Sequence, residues 1–170
     1  LAARTDILTN LLNRRAMEEA LLQQTQRCVR FAEPAALVMP DIDHFKAIND
    51  SHGHDVGDTV IRRVAQTVTA NIRNIDVLAR WGGEEFLLIL PNVDQAGACA
   101  LADRIRQAIA QQSVPAEGAT LQFTVSLGIA MFQPSHPDHE TWIKHADQAL
   151  YDAKHGGRNR TAVWQEATLA

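Results

Sequence analysis

Apolar residues recur every three to four positions in four stretches of the chain, residues 13–32, 57–73, 94–112 and 139–157. This spacing is typical of helices that pack one apolar stripe against a core. Asn13 is a suitable N-cap for the first helix, and Gly156 is placed to end the last. The side chains predicted to face inward are, helix by helix, Met17, Leu21, Cys28 and Phe31 with Leu22 beside them; Val60, Val64, Val68 and Ile72; Leu101, Ile105 and Ile109; and Trp142, Ala146, Ala149, Leu150 and Ala153.

Five shorter stretches have the patterns of strands. Residues 35–39 are apolar and stop at Pro40, which suits a buried strand that ends there, and residues 161–164 form a short final strand. Residues 77–81 and 86–90 flank two glycines and predict a β-hairpin. Residues 120–132 alternate strictly between apolar and polar, which predicts a half-buried strand. Helices and strands intermix, so we expect one α/β (α+β) domain with a central mixed sheet covered by helices.

Composition narrows the class of protein. The chain has 170 residues, of which 46% are hydrophobic, enough for one domain with its own core. A net charge of −4 argues against broad binding to nucleic acid or to an anionic membrane, which needs a basic face. No apolar run is long enough to span a bilayer, and no signal peptide is visible. The first residue is not Met, so we expect a fragment of a longer protein.

The two cysteines, Cys28 and Cys99, lie far apart in the sequence and match no metal-binding spacing. Each is flanked by helix-like sequence. We therefore expect two reduced thiols in a cytosolic protein.

Four carboxylates form two clusters beside predicted strands. Asp41 and Asp43 follow the strand at 35–39, and Glu84 and Glu85 lie on the hairpin. If the two strands are neighbours in the sheet, these acids converge at one edge, where like charges are costly unless a cation lies among them. Hard oxygen ligands of this kind suit Mg²⁺ or Mn²⁺, which in turn suit phosphates. The pattern indicates metal-assisted phosphoryl or nucleotidyl chemistry.

Two glycines and two cations complete this pattern. Gly82 and Gly83 would permit backbone angles that other residues avoid, and they leave no side chain to obstruct a ligand. Lys154 and Arg158 straddle the end of the last helix, where cations are ordinary partners of the helix dipole. Two fixed cations are also what an acidic domain needs to hold a triphosphate.

The polar segment between the acidic clusters has more than one interpretation. Asp58 lies near the start of a predicted helix, where a negative charge complements the helix dipole. Asn49, His52 and His54 are compatible with turns, and Lys46 would neutralise a phosphate or remain solvated. A zinc site is disfavoured, because no third soft ligand follows the two histidines at a usual spacing.

Four blocks together resemble the signature motifs of the GGDEF domain family, the diguanylate cyclases. They are DILTNLLNRR, DIDHFKAINDSHGHDVGD, RWGGEEF and ALYDAKHGGRNR, in the family's order and spread from Asp6 to Arg160. Glu84 stands where the family name has aspartate, which keeps the carboxylate. Pro40, just before the first aspartate, is less usual for the family. The resemblance implies a five-stranded mixed sheet flanked by helices, similar to the nucleotide cyclase and polymerase palm fold.

The resemblance also implies a reaction, in which two GTP become cyclic di-GMP and two pyrophosphates. Its implied catalytic residues are Asp41, Glu84 and Glu85; with the backbone carbonyl of Ile42 they would hold two Mg²⁺ (or Mn²⁺) ions. Glu84 is the candidate base or metal ligand at the ribose 3′-hydroxyl. A further set would bind substrate: Asn49 and Asp58 at guanine, Lys46, Lys154 and Arg158 at phosphates, and His54, Gly82 and Gly83 along the site. We expect Asp43 to be structural, on the argument that strand alternation turns it away from Asp41.

The pattern Arg73 to Asp76 ends five residues before Gly82. By itself it is a chance tetrapeptide or a surface ion pair of little energetic weight. In the family that the chain resembles, the same pattern at this distance is the site at which cyclic di-GMP inhibits the enzyme. Arg104, on the helix after the hairpin, is a candidate for a second contact there.

The resemblance thus implies an active, product-inhibited cyclase, with residues 1–170 as one catalytic domain that works as a homodimer, because each domain holds one GTP. An upstream sensor region would be missing. We expect a cytoplasmic location, with a membrane anchor possible only in the missing upstream part. The rival hypotheses are a non-catalytic GTP or cyclic di-GMP binding module of the same fold, and a general nucleotide cyclase or polymerase-like palm domain.

Overall fold

The computed structural model describes residues 3–167, in which helices and strands alternate along the chain. The elements, in chain order, are α1 (Arg14–Phe31), β1 (Ala35–Ile42), α2 (Phe45–His52), α3 (His54–Asn71), β2 (Val77–Arg80), β3 (Phe86–Pro91), α4 (Gln95–Ala110), β4 (Val114–Ala116), β5 (Ala119–Leu121), β6 (Val125–Met131), α5 (His139–His155) and β7 (Thr161–Val163). Among these helices, none is both long and apolar enough to cross a membrane.

Five strands form one sheet in the order β2-β3-β1-β6-β7, and β4 pairs with β5 in a separate small sheet. The neighbours in the large sheet are antiparallel except for β7, which runs parallel to β6. The predicted five-stranded mixed sheet and the β2–β3 hairpin are therefore confirmed. β1 lies at the centre, so the residues at its carboxyl end face neighbours on both sides.

Two apolar clusters cover the two faces of the sheet. Helices α3 and α4 pack against one face, through buried residues such as Val64, Val68 and Ile105. Helices α1 and α5 pack against the other, through Met17, Leu21 and Trp142 among others. These are the apolar stripes predicted from the helical spacing, and Asn13 caps α1 by accepting from Ala16 N at 3.0 Å.

The prediction that two residues of α1, Phe31 and Leu22, face inward is wrong. Phe31 is 52% exposed and Leu22 is 49% exposed. Phe31 is the last residue of α1, and the guanidinium groups of Arg27 and Arg30 lie over its ring. The apolar stripe therefore ends at Cys28.

The segment before α3 is more helical than the sequence predicted. An additional helix, α2, occupies part of the polar segment, and α3 begins at His54, three residues before the predicted start. Asn49 and His52 lie in α2, and His54 opens α3, so none of the three belongs to an extended turn. Gly53, with φ of +90°, makes the sharp corner between the helices.

Pro40 does not end β1, contrary to the sequence prediction. The strand continues through Pro40 and Asp41 to Ile42, and Pro40 lies opposite Leu127 of β6. Proline is tolerated there because the pairing of β1 with β3 is interrupted after Val38 and resumes only at Asp41. The interruption is what a residue without an N–H produces in a ladder.

Strand β6 is buried on both faces, not on one as its alternation predicted. Its small residues, Ser126, Gly128 and Ala130, face α5 and are as buried as the apolar ones between them. A Cβ at Gly128 would lie 2.9 Å from Leu150 Cα, so only glycine permits the observed approach of α5 to the strand. Small residues in the polar positions therefore marked a close helix contact. The predicted long strand also breaks before β6, because residues 119–121 pair with β4.

Candidate active site

The carboxyl end of β1 meets the turn between β2 and β3. Asp41 forms an isolated antiparallel bridge with Glu85, and Ile42 N donates to Glu84 O at 3.3 Å. The two acidic segments predicted to converge are thus adjacent at the sheet edge. We call this region, comprising Asp41, Ile42, Glu84 and Glu85, the catalytic edge.

Lys154 supplies the positive charge next to Asp41. Its Nζ lies 2.7 Å from Asp41 Oδ1 and 3.7 Å from Asp43 Oδ1, and α5, which carries it, packs on the face of the sheet that Leu37 and Met39 of β1 also face. Burial raises the pKa of Asp41 to about 6, the Lys154 ammonium opposes that rise, and the charges of Glu85 and Glu84 add to it. One ammonium therefore does not fully compensate the acids at this edge.

Glu85 is half-buried beside further negative charge. Burial raises its pKa, as do the nearby carboxylates of Asp147 and Glu84, while Lys154 and Arg14 lower it. Asp147, on α5, was not singled out in the sequence, because a carboxylate 62 positions from Glu85 along the chain gives no local signal. An added cation would relieve this repulsion.

In this turn, Gly82 and Gly83 are needed for the space that they leave open rather than for unusual backbone angles. Neither Gly82 nor Gly83 has φ in the left-handed region, so the expectation of special backbone angles is wrong. A Cβ at Gly82 would lie 3.1 Å from Glu85 Oε1, and one at Gly83 would meet no atom within 4 Å. The amides of Trp81 and Gly82 both donate to Glu85 O, which closes the turn without a left-handed residue.

Arg80 joins this turn to the start of the domain, a role that was not predicted from the sequence. Its Nη2 donates to Gly83 O at 2.8 Å, and its Nη1 lies 3.2 Å from Asp6 Oδ1. Burial works to raise the pKa of Asp6, but hydrogen bonds from Thr9 and the charge of Arg80 outweigh it and lower that pKa. The Arg80 guanidinium thus holds both the turn at residues 6–9 and the turn between β2 and β3, which we call the catalytic turn.

The donors at the catalytic edge suit a hard divalent cation. Three carboxylates and the Ile42 carbonyl are oxygen ligands of the type that Mg²⁺ and Mn²⁺ prefer. Burial, with a smaller contribution from the charges of Glu85 and Glu84, raises the pKa of Asp41. Within residues 3–167, no three acidic, histidine or cysteine side chains are gathered closely enough to enclose an ion. The residues fit the expected metal in kind, and side-chain rotation would be needed to gather them.

Asp43 is structural, as expected, but the reason given from the sequence is wrong. Residues two apart in a strand project to the same side, and Lys154 accordingly lies near both Asp41 and Asp43. Asp43 instead differs in its partners, accepting hydrogen bonds from Thr124 Oγ1, Ser126 Oγ and Asn159 N. These partners lie 81 or more positions away along the chain.

The residues expected at guanine lie together where α2 meets α3. Asn49 packs against Gly57, the residue before Asp58; a Cβ at Gly57 would lie 3.0 Å from Asn49 Cγ and would overlap Oδ1. Asn49 Oδ1 is buried without a hydrogen-bond partner. Asp58 is the fifth residue of α3, beyond the first turn, so helix-dipole compensation falls to Asp55 instead.

The expected phosphate-binding cations differ in their surroundings. Lys154 is engaged with Asp41, whereas Lys46 and Arg158 are exposed to solvent. His54, which was expected to line the site, is also exposed. Arg158 lies in the corner between α5 and β7, and its backbone N donates to Ala153 O at 3.1 Å. The structure thus places Lys154 at the catalytic edge, with Lys46 and Arg158 exposed to an approaching anion.

The residues expected at the inhibitory site line a separate cavity of about 230 Å³, formed by the end of α3, the end of β3 and the face of α4. We call it the Arg73 pocket, lined by Asn71, Arg73, Asp76, Leu90, Val93, Gly97, Leu101 and Arg104. Arg73 Nη2 lies 2.8 Å from Asp76 Oδ1 and 2.7 Å from Pro91 O. Arg104 donates to the carbonyl and side chain of Asn71.

The Asp76 carboxylate is not free within this pocket. Its side chain is fully buried, and it accepts from both the guanidinium and the backbone N of Arg73. Arg73 itself is 48% exposed. The structure therefore brings Arg73, Asp76 and Arg104 together, with Asp76 holding Arg73 rather than facing solvent.

Comparison with known proteins agrees with this geometry. Residues 3–160 match the family described as "Diguanylate cyclase, GGDEF domain". The chain is 38% identical over 161 residues to diguanylate cyclase DosC of Escherichia coli, covering 94% of this chain and 35% of that protein. It therefore spans about a third of the length of this curated relative.

Two solved structures show the same fold. The GGDEF domain of DgcB from Caulobacter crescentus, in complex with c-di-GMP, superposes with a TM-score of 0.93 at 34% identity, covering 98% of both chains. The active GGEEF domain of a diguanylate cyclase from Vibrio cholerae gives a TM-score of 0.87 at 33% identity, covering 92% of this chain and 99% of that one. The match over nearly the whole chain, together with the paired acidic segments, shows that this protein belongs to the GGDEF domain family of diguanylate cyclases.

Proposed function

We propose that residues 1–170 form one catalytic domain that condenses two GTP into cyclic di-GMP and two pyrophosphates. The observation that carries this proposal is the catalytic edge, where Asp41 and Glu85 face each other across β1 and β3 with an incompletely compensated negative charge. The GGEEF motif shared with a structure described as active supports catalysis over binding alone.

Asp41, the Ile42 carbonyl, Glu84 and Glu85 would hold two Mg²⁺ ions. When bound, these ions supply the positive charge that acidifies the ribose 3′-hydroxyl and neutralises the triphosphate. Lys154 would then exchange Asp41 for a phosphate oxygen, with Arg158 and Lys46 as further cations. The 3′-oxygen of each GTP forms a bond to the α-phosphorus of the other GTP. The bond from that phosphorus to the oxygen that bridges to the β-phosphate breaks, and each pyrophosphate leaves with the electron pair, so that two bonds form and two pyrophosphates are released. Glu84 would take the hydroxyl proton or hold the metal at that hydroxyl.

Guanine would be read at the junction of α2 and α3. The Asp58 carboxylate can accept from both N1 and N2 of guanine, a donor pair that adenine does not present. Asn49 would supply a second polar contact beside it, and His54 would line the site. Since each domain holds one GTP, two domains must meet face to face, and we propose a homodimer as the catalytic unit.

The Arg73 pocket would bind the product and inhibit the enzyme. An arginine fork can grip a phosphate oxygen pair or the O6 and N7 edge of guanine. Arg73 and Arg104 are the two exposed cations in the pocket, and the buried carboxylate of Asp76 fixes the orientation of Arg73. Because β3 connects this pocket to the catalytic turn, ligand bound at Arg73 inhibits without occupying the GTP site.

Incubation with GTP and Mg²⁺, followed by chromatography for cyclic di-GMP, tests the proposal. We expect cyclic di-GMP from GTP and no cyclic dinucleotide from ATP. Specific activity should rise with protein concentration, as a reaction between two half-sites requires. Tight binding of GTP or cyclic di-GMP without turnover would instead establish the non-catalytic module, and turnover of ATP would establish a general nucleotide cyclase.

A further inference from the structure

Asp43 is a buried carboxylate that the proposed chemistry does not use. Its side chain is 1% exposed. Oδ2 accepts from Thr124 Oγ1 at 2.7 Å and from Asn159 N at 3.0 Å, and Oδ1 accepts from Ser126 Oγ at 2.7 Å. Both oxygens are thus committed to β6 and to the corner after α5, so Asp43 holds structure in place.

The corner that Asp43 holds has an unfavourable backbone. Three successive residues, Gly157, Arg158 and Asn159, have positive φ angles of 123°, 61° and 46°. Residues with a Cβ adopt this region uncommonly, and a run of two persists only where surrounding contacts enforce it. The middle residue is Arg158, so the enforced conformation decides where its guanidinium projects.

A second anchor reaches the same corner from α4. Arg106 Nη1 donates to Asn159 Oδ1 at 3.0 Å, and Arg106 Nε is held by Asp103 Oδ1 at 2.8 Å. The Arg106 side chain is only 20% exposed. Asn159 is therefore fixed through its backbone by Asp43 and through its side chain by Arg106.

We propose that Asp43 and Arg106, acting through Asn159, are positioning residues that set Arg158 to grip the β- and γ-phosphates of the nucleotide. Asp43 also lies 3.7 Å from Lys154, the other cation of this grip. The second aspartate of the Asp-x-Asp pair thus serves triphosphate binding and is not a metal ligand. This inference rests on the proposed function, because it assumes that the site takes GTP.

Asp43→Asn tests it, because the amide has no negative charge and has one accepting oxygen for Thr124, Ser126 and Asn159 N where the carboxylate has two, which weakens the hold on the corner. The probe is α,β-methylene-GTP, which cannot release pyrophosphate, and its affinity is measured by calorimetry with Mg²⁺. We expect a loss of about tenfold, the usual effect of misplacing a hydrogen bond to a charged group. GMP, which lacks the β- and γ-phosphates, should bind variant and parent equally, and the Mg²⁺ concentration for half-maximal binding should not change.

Arg106→Gln provides a test that leaves the sheet intact, should Asp43→Asn fold poorly. It should weaken the triphosphate in the same direction while leaving GMP unaffected. Arg63→Gln is the matched control, since Arg63 bonds Gln112 and Ser113 away from the corner and should change neither affinity. In the double variant Arg106→Gln/Arg158→Ala, the loss should not exceed that of Arg158→Ala alone, because both act on one contact.

The possible outcomes distinguish a failure of this inference from a failure of the proposed function. If the parent binds neither nucleotide, the proposed function fails, and the inference fails with it. If the parent binds both nucleotides and the Asp43 and Arg106 variants bind α,β-methylene-GTP equally well, the inference alone is overturned. A shifted Mg²⁺ requirement in Asp43→Asn, with GMP and triphosphate weakened together, would make Asp43 a metal ligand and would also overturn it.

Discussion

The catalytic edge and the Arg73 pocket both bring charged side chains together, but they balance those charges in opposite ways. At the catalytic edge, carboxylates outnumber cations, and burial with mutual repulsion raises the pKa of both Asp41 and Glu85. In the Arg73 pocket, Arg73 and Asp76 already form a multiply hydrogen-bonded pair at 2.8 Å. The catalytic edge therefore has excess negative charge, whereas the charges of Arg73 and Asp76 in the pocket are already paired before any ligand binds.

This difference predicts how each region responds to its ligand. A cation that binds at the catalytic edge relieves the repulsion between the carboxylates already gathered there, which favours its binding. Once bound, it can stabilise the charge that develops in the transition state. A ligand arriving at the Arg73 pocket must compete with an existing ion pair and gains only the difference between old and new contacts. We therefore expect substitutions at the catalytic edge to affect activity strongly and those in the pocket to affect regulation alone.

The largest expected effect is that of Glu84→Gln, which keeps the shape of the side chain and removes its charge. Loss of one such electrostatic contribution typically lowers kcat by about 10²–10³-fold. Cyclic di-GMP synthesis is the measurement, with circular dichroism to verify the fold. Glu140→Gln, at a side chain 73% exposed on α5, is the control and should retain activity. Near-normal synthesis by Glu84→Gln would remove the catalytic edge from the mechanism.

Arg73→Ala should abolish product inhibition and leave basal synthesis intact. Removing a charged hydrogen-bond donor costs about 1.5–3 kcal/mol of ligand affinity, and the backbone N of Arg73 still holds Asp76 at 2.7 Å. The measurement is the inhibition constant of added cyclic di-GMP at several GTP concentrations. Equal inhibition of variant and parent, or inhibition that GTP overcomes completely, would place the regulatory site elsewhere.

Asp58→Ala should weaken GTP binding by about 1–3 kcal/mol, because two guanine donors lose their acceptor. The sharper readout is discrimination against inosine triphosphate, which lacks the 2-amino group. The parent should prefer GTP, and the variant should bind the two nucleotides about equally. Helix stability should hardly change, since Asp58 lies beyond the first turn of α3. A preference for GTP that survives the substitution would assign base reading to other residues.

The smallest expected effect concerns stability without divalent ions. The folded-state pKa of Asp41 is raised to about 6 from 3.8, so the parent should lose stability as the pH rises from about 4 through about 6. Asp41→Asn removes that titration and should be more stable than the parent above pH 6 by on the order of 1–2 kcal/mol. Urea unfolding in EDTA measures it. A parent whose stability stays level across this range would show that Lys154 compensates Asp41 completely.

The sequence predicted most of the fold because amphipathic spacing is a local property. The stripes of α3, α4 and α5 and the hairpin around Gly82 could be read directly. It failed where a neighbour overrides the local pattern: Pro40 stays within β1 because β3 tolerates a missing donor there. β6 reads as half-buried only because α5, which covers its other face, is distant in sequence.

For the candidate site, as for the fold, local motifs could be read from the sequence and contacts between distant residues could not. Residue types and motif order predicted that Asp41 and Glu85 lie together at the sheet edge, and the structure brings them together. The charges around Glu85 include those of Asp147 and Arg14, and the anchoring of Asp43 depends on Asn159, 116 positions away. The family motifs state which residues matter, whereas long-range partners decide which of two neighbouring aspartates stays available to a ligand.

Arg80 has a consequence for the cooperativity of the domain. Since one guanidinium bonds both Asp6 and Gly83 O, fraying of the first residues removes the Asp6 contact that holds Arg80 in place against the catalytic turn. In native-state hydrogen exchange, the amides of Thr9 and Gly82, which bond to Asp6 and Glu85 O, should therefore open with similar free energies and move together when denaturant is added. The start of the domain and its reaction centre would then form a single unfolding unit, although they are about 75 positions apart in the chain.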